Sequence, residues 1–387
     1  MRILFTSVGL SGHFFTLVPL AWACRAAGHE VLVATAEHFV PVVLRAGLPA
    51  VPCGPPADFV ALGAADAVSD THARRRSAHG RVFARIAESG LDGTAELVRS
   101  WRPDVVVSER AEAAGPVAAA AHGVPLVELR WGVAELTEYR EAAAARLGPL
   151  PEPDLVLDPW PPSLRLEHAR GHSSLRHVSY NGDARVPDWA LRPRSRPRVC
   201  LTLGTVVPRL GAAGVPDLVA GTLERLAGHG FELVVAVADD VAATWSSLPD
   251  AVLHAGHIPL AQAAAACDAV IHHGGQGTSL TALEAGCPQL VLPQFDDQLD
   301  NADAVVRAGA GMSLSADLTP AAIADTCAEL LATRAYRTAA EAVAAEIGEQ
   351  PSPARVVADL AALVAGAPRP RRSDSGFLIG TGRHFEA

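Results

Sequence analysis

The sequence predicts an α/β protein of two tandem domains, each a parallel sheet with helices on both faces. Three observations carry this. Short β-rich apolar runs alternate with longer alanine-rich helical stretches through most of the 387 residues, the pattern of α/β layers. Runs such as Val105-Val106-Val107 are continuously apolar, as strands covered on both faces are. The pattern then stops and restarts at Leu191-Arg192-Pro193-Arg194-Ser195-Arg196-Pro197, where two prolines and three arginines in seven residues read as an exposed linker.

Residues 1–190 form the expected first domain, with strands at 2–7, 30–35, 104–108 and 125–129 and helices at 16–27 and 93–100. After the linker, 191–197, the second domain covers 198–366. Its strands are expected at 198–202, 232–236, 252–255, 269–272 and 289–293, and its helices at 260–266, 278–285 and 298–307. Segments 58–85 and 139–191 show little periodicity and read as long loops. Residues 367–387 read as a weakly structured tail. A chain of 387 residues suits two cores of similar size rather than one. A deep cleft between two such domains is a favoured ligand site.

A formal charge of −10 argues against nucleic-acid or anionic-membrane partners, which need a basic face. All 32 basic residues are arginines, so no lysine serves as phosphate clamp or Schiff base. The six cysteines, Cys24, Cys53, Cys200, Cys267, Cys287 and Cys327, contain no CxxC pair and read as reduced thiols without a zinc site. Neither a signal-peptide layout nor an apolar run of membrane-spanning length is present, so a cytoplasmic protein without stable membrane insertion is expected.

The strongest motif is Val270-Ile271-His272-His273-Gly274-Gly275-Gln276-Gly277-Thr278-Ser279-Leu280. A strand enters a glycine-rich turn that opens a helix, and free N–H groups at such a start bind phosphate. His273 adds a hydrogen-bond donor for a leaving group. Taken alone, the segment reads equally as a tight turn with two incidental histidines. Leu203-Gly204-Thr205 ends an earlier strand with a second phosphate contact of the same kind. Leu292-Pro293-Gln294-Phe295-Asp296-Asp297-Gln298 brings carboxylates and amides that suit sugar hydroxyls, or simply cap a helix.

In the first domain, Val8-Gly9-Leu10-Ser11-Gly12-His13 follows strand one, placing His13 at the crevice where open α/β sheets bind ligands. An imidazole there suits a general base, or caps a helix. Glu109, at the end of the strand 104–108, is suited to orient it; a solvated glutamate is the plainer alternative.

Together these residues resemble bacterial antibiotic glycosyltransferases, the natural-product relatives of UDP-glucuronosyl- and UDP-glucosyltransferases, over nearly the whole chain. The family pattern HHGGAGT…AG.PQ..LP…DQ..NA meets HHGGQGTSLTALEAGCPQLVLPQFDDQLDNA here. Ser108-Glu109-Arg110-Ala111-Glu112, followed by Ala114-Gly115-Pro116, is similar to deoxysugar transferases of polyketide and enediyne pathways. The resemblance implies a GT-B fold, two Rossmann-like domains facing each other across a cleft. It implies His13 as base with Glu109 as its partner, where many relatives have aspartate. It assigns Thr205, His273, Gly275, Gly277 and Thr278 to the diphosphate, His257 and Ile258 to the nucleobase, and Asp297 and Gln298 to the donor sugar. Gln276 replaces a common small residue, narrowing the pocket or contacting a phosphate.

The implied reaction is an inverting, metal-independent transfer from a nucleoside-diphosphate sugar, a dTDP-deoxysugar, to a hydrophobic aglycone such as a polyketide. The sugar donor is a co-substrate and no cofactor is expected. The acceptor is placed near Phe59, Phe83, Trp131 and Tyr139, aromatics that also suit ordinary core packing. Attack by an aromatic carbon, giving a C-glycoside, stays open, as does a sugar-nucleotide 2-epimerase of the same architecture. A homodimer is also left open. A dinucleotide oxidoreductase is disfavoured, because strand one is not followed by G-x-G-x-x-G.

Overall fold

The computed structural model describes residues 1–64, 71–183, 185–204, 215–245, 247–294, 297–316 and 318–366. The first sheet contains β1 (Arg2–Thr6), β2 (Glu30–Ala36), β3 (Ala50–Gly54), β4 (Val105–Glu109), β5 (Leu126–Leu129), β6 (Leu155–Asp158) and β7 (Ser173–Ser174). All are parallel, in the order β3-β2-β1-β4-β5-β6-β7. The second sheet contains β8 (Arg198–Thr202), β9 (Glu232–Ala236), β10 (Val252–Gly256), β11 (Ala269–His272), β12 (Gln289–Val291) and β13 (Gly311–Ser313). It is also parallel, in the order β10-β9-β8-β11-β12-β13.

Both orders reverse direction beside the first strand, between β1 and β4 and between β8 and β11. At such a switch point the flanking connections run to opposite sides and leave a crevice at the strands' carboxyl ends. His13 and Glu109 follow or end the first such pair; Gly204 and His273 follow the second.

The continuous apolar runs are explained by alternation between two covered faces. Ile3, Phe5, Val105 and Val107 pack with Leu17 and Leu20 on one side of the first sheet. Leu4 and Val106 pack with Val98, Ala118 and Ala119 on the other. The second sheet repeats the arrangement, with Val199, Leu201 and Ile271 on Leu223 and Ile323, and Cys200 and Val270 on Ala263 and Ala282. All six cysteines are buried free thiols. Burial pushes those of Cys24, Cys200, Cys287 and Cys327 up to about 12.

Two expectations change. The segment 58–85 is not a loop over its described length: most of it belongs to the helix His72–Trp101. Glycines within that helix conceal its periodicity, yet they are what let it pack. A Cβ at Gly93 would fall 2.6 Å from the Cys53 carbonyl oxygen, and one at Gly80 2.9 Å from that of Glu138. Likewise, 139–191 includes most of the helix Thr137–Leu147. The last helix, Pro353–Gly366, was grouped with the second domain, but Val356, Val357 and Leu360 pack into the first domain's core against the helix Val18–Ala26. The tail, 367–387, lies outside the described residues.

Candidate active site

Strand β1 delivers the chain into a short helix, Ser11–Phe14, anchored by the fully buried Phe14. That helix holds His13 with Nδ1 3.1 Å from Glu109 Oε2. Glu109 ends β4 with no exposed surface, so its charge needs partners. Oε2 also accepts from the Trp131 indole N–H at 2.7 Å and the Ala111 amide at 2.8 Å, and Oε1 from the Val8 amide at 3.2 Å. Burial alone would push the carboxyl up. The charge and hydrogen bond of His13, the Ala111 amide and the indole outweigh it and hold the carboxyl below its ordinary value. With Glu109 a carboxylate, the neutral form of His13 that fits this contact donates from Nδ1 and carries its lone pair on Nε2.

The aromatic residues expected at the acceptor site gather around this pair. Phe83 lies 5.3 Å from His13 between ring centroids, 4.9 Å from Phe59 and 5.2 Å from Tyr139. Trp131 meets the His13 ring edge-on at 4.7 Å. Its indole N–H is committed to Glu109, so it braces the pair as well as lining the site. Beside Glu109 lies a cavity of about 300 Å³ that Phe83 and Tyr139 line together with Glu112, Glu128 and Arg110. Burial, and then Arg130, lower the Arg110 guanidinium to about 10; it donates to the carbonyls of Trp131 and Ala134 at 3.0 and 2.7 Å. Burial raises Glu112, whose oxygens cap the next helix at the Ala114 and Gly115 amides.

Across the cleft, β11 ends in two histidines with different environments. His272 is fully buried, with Nε2 2.7 Å from Gln289 Oε1, while its Nδ1 accepts from the Gly274 amide at 3.0 Å. Burial lowers it to about 3, so it is a neutral brace for the turn. His273 is half-buried and lies against Gly204 and Gly275, where added Cβ atoms would each fall 2.5 Å from its ring. Burial lowers it to about 4, leaving a neutral donor or acceptor at the mouth of the turn. Gly275 caps the helix Gln276–Glu284, and its carbonyl accepts from the Thr278 amide at 3.1 Å. Among the described residues, a Cβ at Gly277 would meet nothing within 4 Å.

Asp297 begins the helix Asp297–Arg307, and its Oδ2 accepts from Asn301 Nδ2 at 2.7 Å. Gln298 is buried, and its Oε1 accepts from the Gln294 amide at 3.0 Å. His257 is exposed, and its amide donates to Asp239 Oδ1 at 2.7 Å. Ile258 packs in the second domain's core. Thr205 lies outside the described residues.

Gln276 departs from its expected place. Its Oε1 turns to the first domain, where it accepts from the Gly132 amide and, at 2.8 Å, from the Trp160 indole. Nearby, the Val133 amide donates to Asn301 Oδ1 at 3.0 Å, and Arg76 pairs with Asp300. The two halves of the site are thus joined by direct bonds.

Comparison with known proteins gives this cleft its family. Residues 22–204 match the N-terminal domain model, and residues 220–363 the C-terminal domain model, described as erythromycin biosynthesis protein CIII-like. L-demethylnoviosyl transferase of Streptomyces niveus is 39% identical, over 94% of this chain and 98% of that protein. The chain belongs to the erythromycin biosynthesis protein CIII-like family of antibiotic glycosyltransferases. SsfS6, a glycosyltransferase of Streptomyces sp. SF2575 solved with thymidine diphosphate, aligns with a TM-score of 0.83 at 34% identity, covering 94% of this chain and 99% of that one. The spinosyn rhamnosyltransferase SpnG, solved with spinosyn aglycone, aligns with a TM-score of 0.83 at 30% identity, covering 93% and 100%. The fold of this glycosyltransferase is therefore GT-B, and it is an enzyme of glycosyl transfer. Among its described residues, no helix is long and apolar enough to cross a membrane.

Sequence reasoning did not single out three residues around this site. Asn301 stands in the DQ..NA segment, so the motif contains it. Gly132 and Trp160 gave no signal, because their importance is contact with the other domain.

Proposed function

We propose that this glycosyltransferase moves a deoxysugar from a thymidine diphosphate donor to a hydroxyl of a hydrophobic, polyketide-type aglycone, with inversion. The observation that carries the reading is the 3.1 Å contact of His13 Nδ1 with Glu109 beside an aromatic pocket, which suits Nε2 to act as the base. His13 Nε2 takes the acceptor's O–H proton as that oxygen bonds to the anomeric carbon. The bond from that carbon to the diphosphate oxygen breaks, and the diphosphate leaves with the electron pair. One displacement at one carbon inverts it. Glu109 stabilises the imidazolium that forms.

His273, Gly275, Gly277 and Thr278 suit the departing diphosphate, since neutral donors and a helix start stabilise anionic charge. Asp297, fixed by Asn301, and Gln298 suit the sugar hydroxyls. The backbone at His257 and Ile258 suits the base, and Phe59, Phe83, Trp131 and Tyr139 suit the aglycone. The thymidine diphosphate in SsfS6 and the aglycone in SpnG support these two ligand classes.

The test is an acceptor-dependent assay with dTDP- and UDP-sugars, read by mass spectrometry. His13→Ala is expected to lower turnover by about two to four orders of magnitude. Near-normal turnover in that variant, or nucleotide release that never depends on acceptor, would overturn the reading.

A further inference from the structure

We infer that Gln276 is a positioning residue: it sets the His13–Glu109 pair from the opposite domain, acting through Trp131. The inference rests on His13 being the base. Gln276 is 5% exposed, and its Oε1 receives two N–H groups, both from the first domain. Turning the amide over would set an NH2 against two donors, so these partners fix its orientation. Its Nε2, in contrast, is buried with no hydrogen-bond partner among the described residues. A side chain that leaves one end unpartnered is held by what its other end does.

One of those donors is the amide of Gly132, and Trp131 precedes it. The loop has little freedom to move. Gly132 has φ +69°, and a Cβ there would fall 2.8 Å from that of Asp297. The following amide, Val133, is bonded to Asn301 Oδ1 at 3.0 Å, and Asn301 in turn donates to the Gly274 carbonyl at 2.9 Å. The second donor, Trp160, is itself fixed: it is fully buried, its amide donates to Asp158 Oδ1 at 3.0 Å, and its carbonyl accepts from Arg165 Nε at 2.8 Å. Gln276 therefore bridges a rigid post and the loop that carries Trp131.

Trp131 transmits this position to the base. Its indole N–H reaches Glu109 Oε2, the same oxygen that faces His13 Nδ1, and its ring edge packs on His13. Gln276 opens the helix whose start faces the donor, so the base is in register only when the donor half is docked. A double-mutant cycle measures the coupling along these contacts.

The experiment measures kcat and both KM values for the full-length enzyme, for Gln276→Met, for Trp131→Phe and for the double variant. Methionine keeps the length and removes the accepting oxygen; phenylalanine keeps an aromatic ring and removes the N–H. Each single change is expected to lower kcat about 10-fold, the scale of losing the one Trp131–Glu109 hydrogen bond through which both act. The double variant is expected to fall about 10-fold as well, with donor KM within about 3-fold throughout. Losses that multiply to about 100-fold, a loss confined to donor KM, or no loss in either single variant would overturn the inference. If Gln276→Met does not fold, Gln276→Ala takes its place in the cycle. An active His13→Ala enzyme defeats the base assignment; multiplicative losses beside an inactive His13→Ala enzyme defeat only the role of Gln276.

Discussion

His273 lies so close to Gly204 that a Cβ at position 204 would fall 2.5 Å from its Cε1. Gly204 also has φ +69°, a conformation that costs a residue with a Cβ about 1–2 kcal/mol. Gly204→Ala is expected to lose about that much stability and to push His273 off its place, weakening thymidine diphosphate at least 10-fold, about 1.4 kcal/mol. Calorimetric titration and urea denaturation check both numbers. Unchanged nucleotide affinity would show that His273 does not serve the diphosphate.

The carboxylate charge at position 109 has its own test. Glu109→Gln keeps the shape, but its amide can set an NH2 against the N–H donors at Ala111, Trp131 and His13. Turnover is expected to fall about 100-fold or more, by loss of both the tautomer and the imidazolium's partner. A drop of less than about 3-fold in steady-state kcat would remove Glu109 from the mechanism.

Burial holds His177, His272 and His273 at about 4, 3 and 4, against 6.5 for an ordinary histidine. The unfolded chain therefore binds more protons than the folded one from pH 6.5 down to those values. Stability is lost as pH falls through that window, each histidine steepening the slope by up to about 1.4 kcal/mol per pH unit. Urea unfolding at pH 7, 6 and 5 measures it, and a flat profile would mean that these side chains take up protons in the folded state. Glu109, whose folded value is depressed below 4.5, adds a further loss only at more acid pH.

Gly93→Ala tests the seat of the long helix. An alanine in place of a glycine within a helix ordinarily gains about 0.5–1 kcal/mol. Here the new Cβ would meet the Cys53 carbonyl oxygen at 2.6 Å, and overpacking costs about 1–3 kcal/mol. A net loss in a denaturant titration is expected; a gain would place the helix farther from β3.

These residues also show where sequence reading succeeds. The strands β1, β4, β8 and β11 were legible because burial on both faces demands uninterrupted apolar runs; their order in each sheet, and so the two switch points, came only from the structure. The positions of the glycine turn before a helix and of His13 just after β1 were legible because both follow from local sequence. β3 was missed: it is an edge strand containing Pro52, where missing donors are tolerated. The helix His72–Trp101 was partly hidden, since its glycines answer to neighbours distant in sequence. Gln276 was visible as an unusual residue, but its direction is set by Gly132 and Trp160, which no local pattern links to it.

The helix Pro353–Gly366, which ends the second half in sequence and packs on the first half in space, bears on recombination among these enzymes. Exchanging halves at the linker alone would seat a foreign helix against Leu17, Leu20 and Phe14. A chimera that carries residues 353–366 along with residues 1–190 keeps the first core with its own covering helix, so the halves can be exchanged without unseating it.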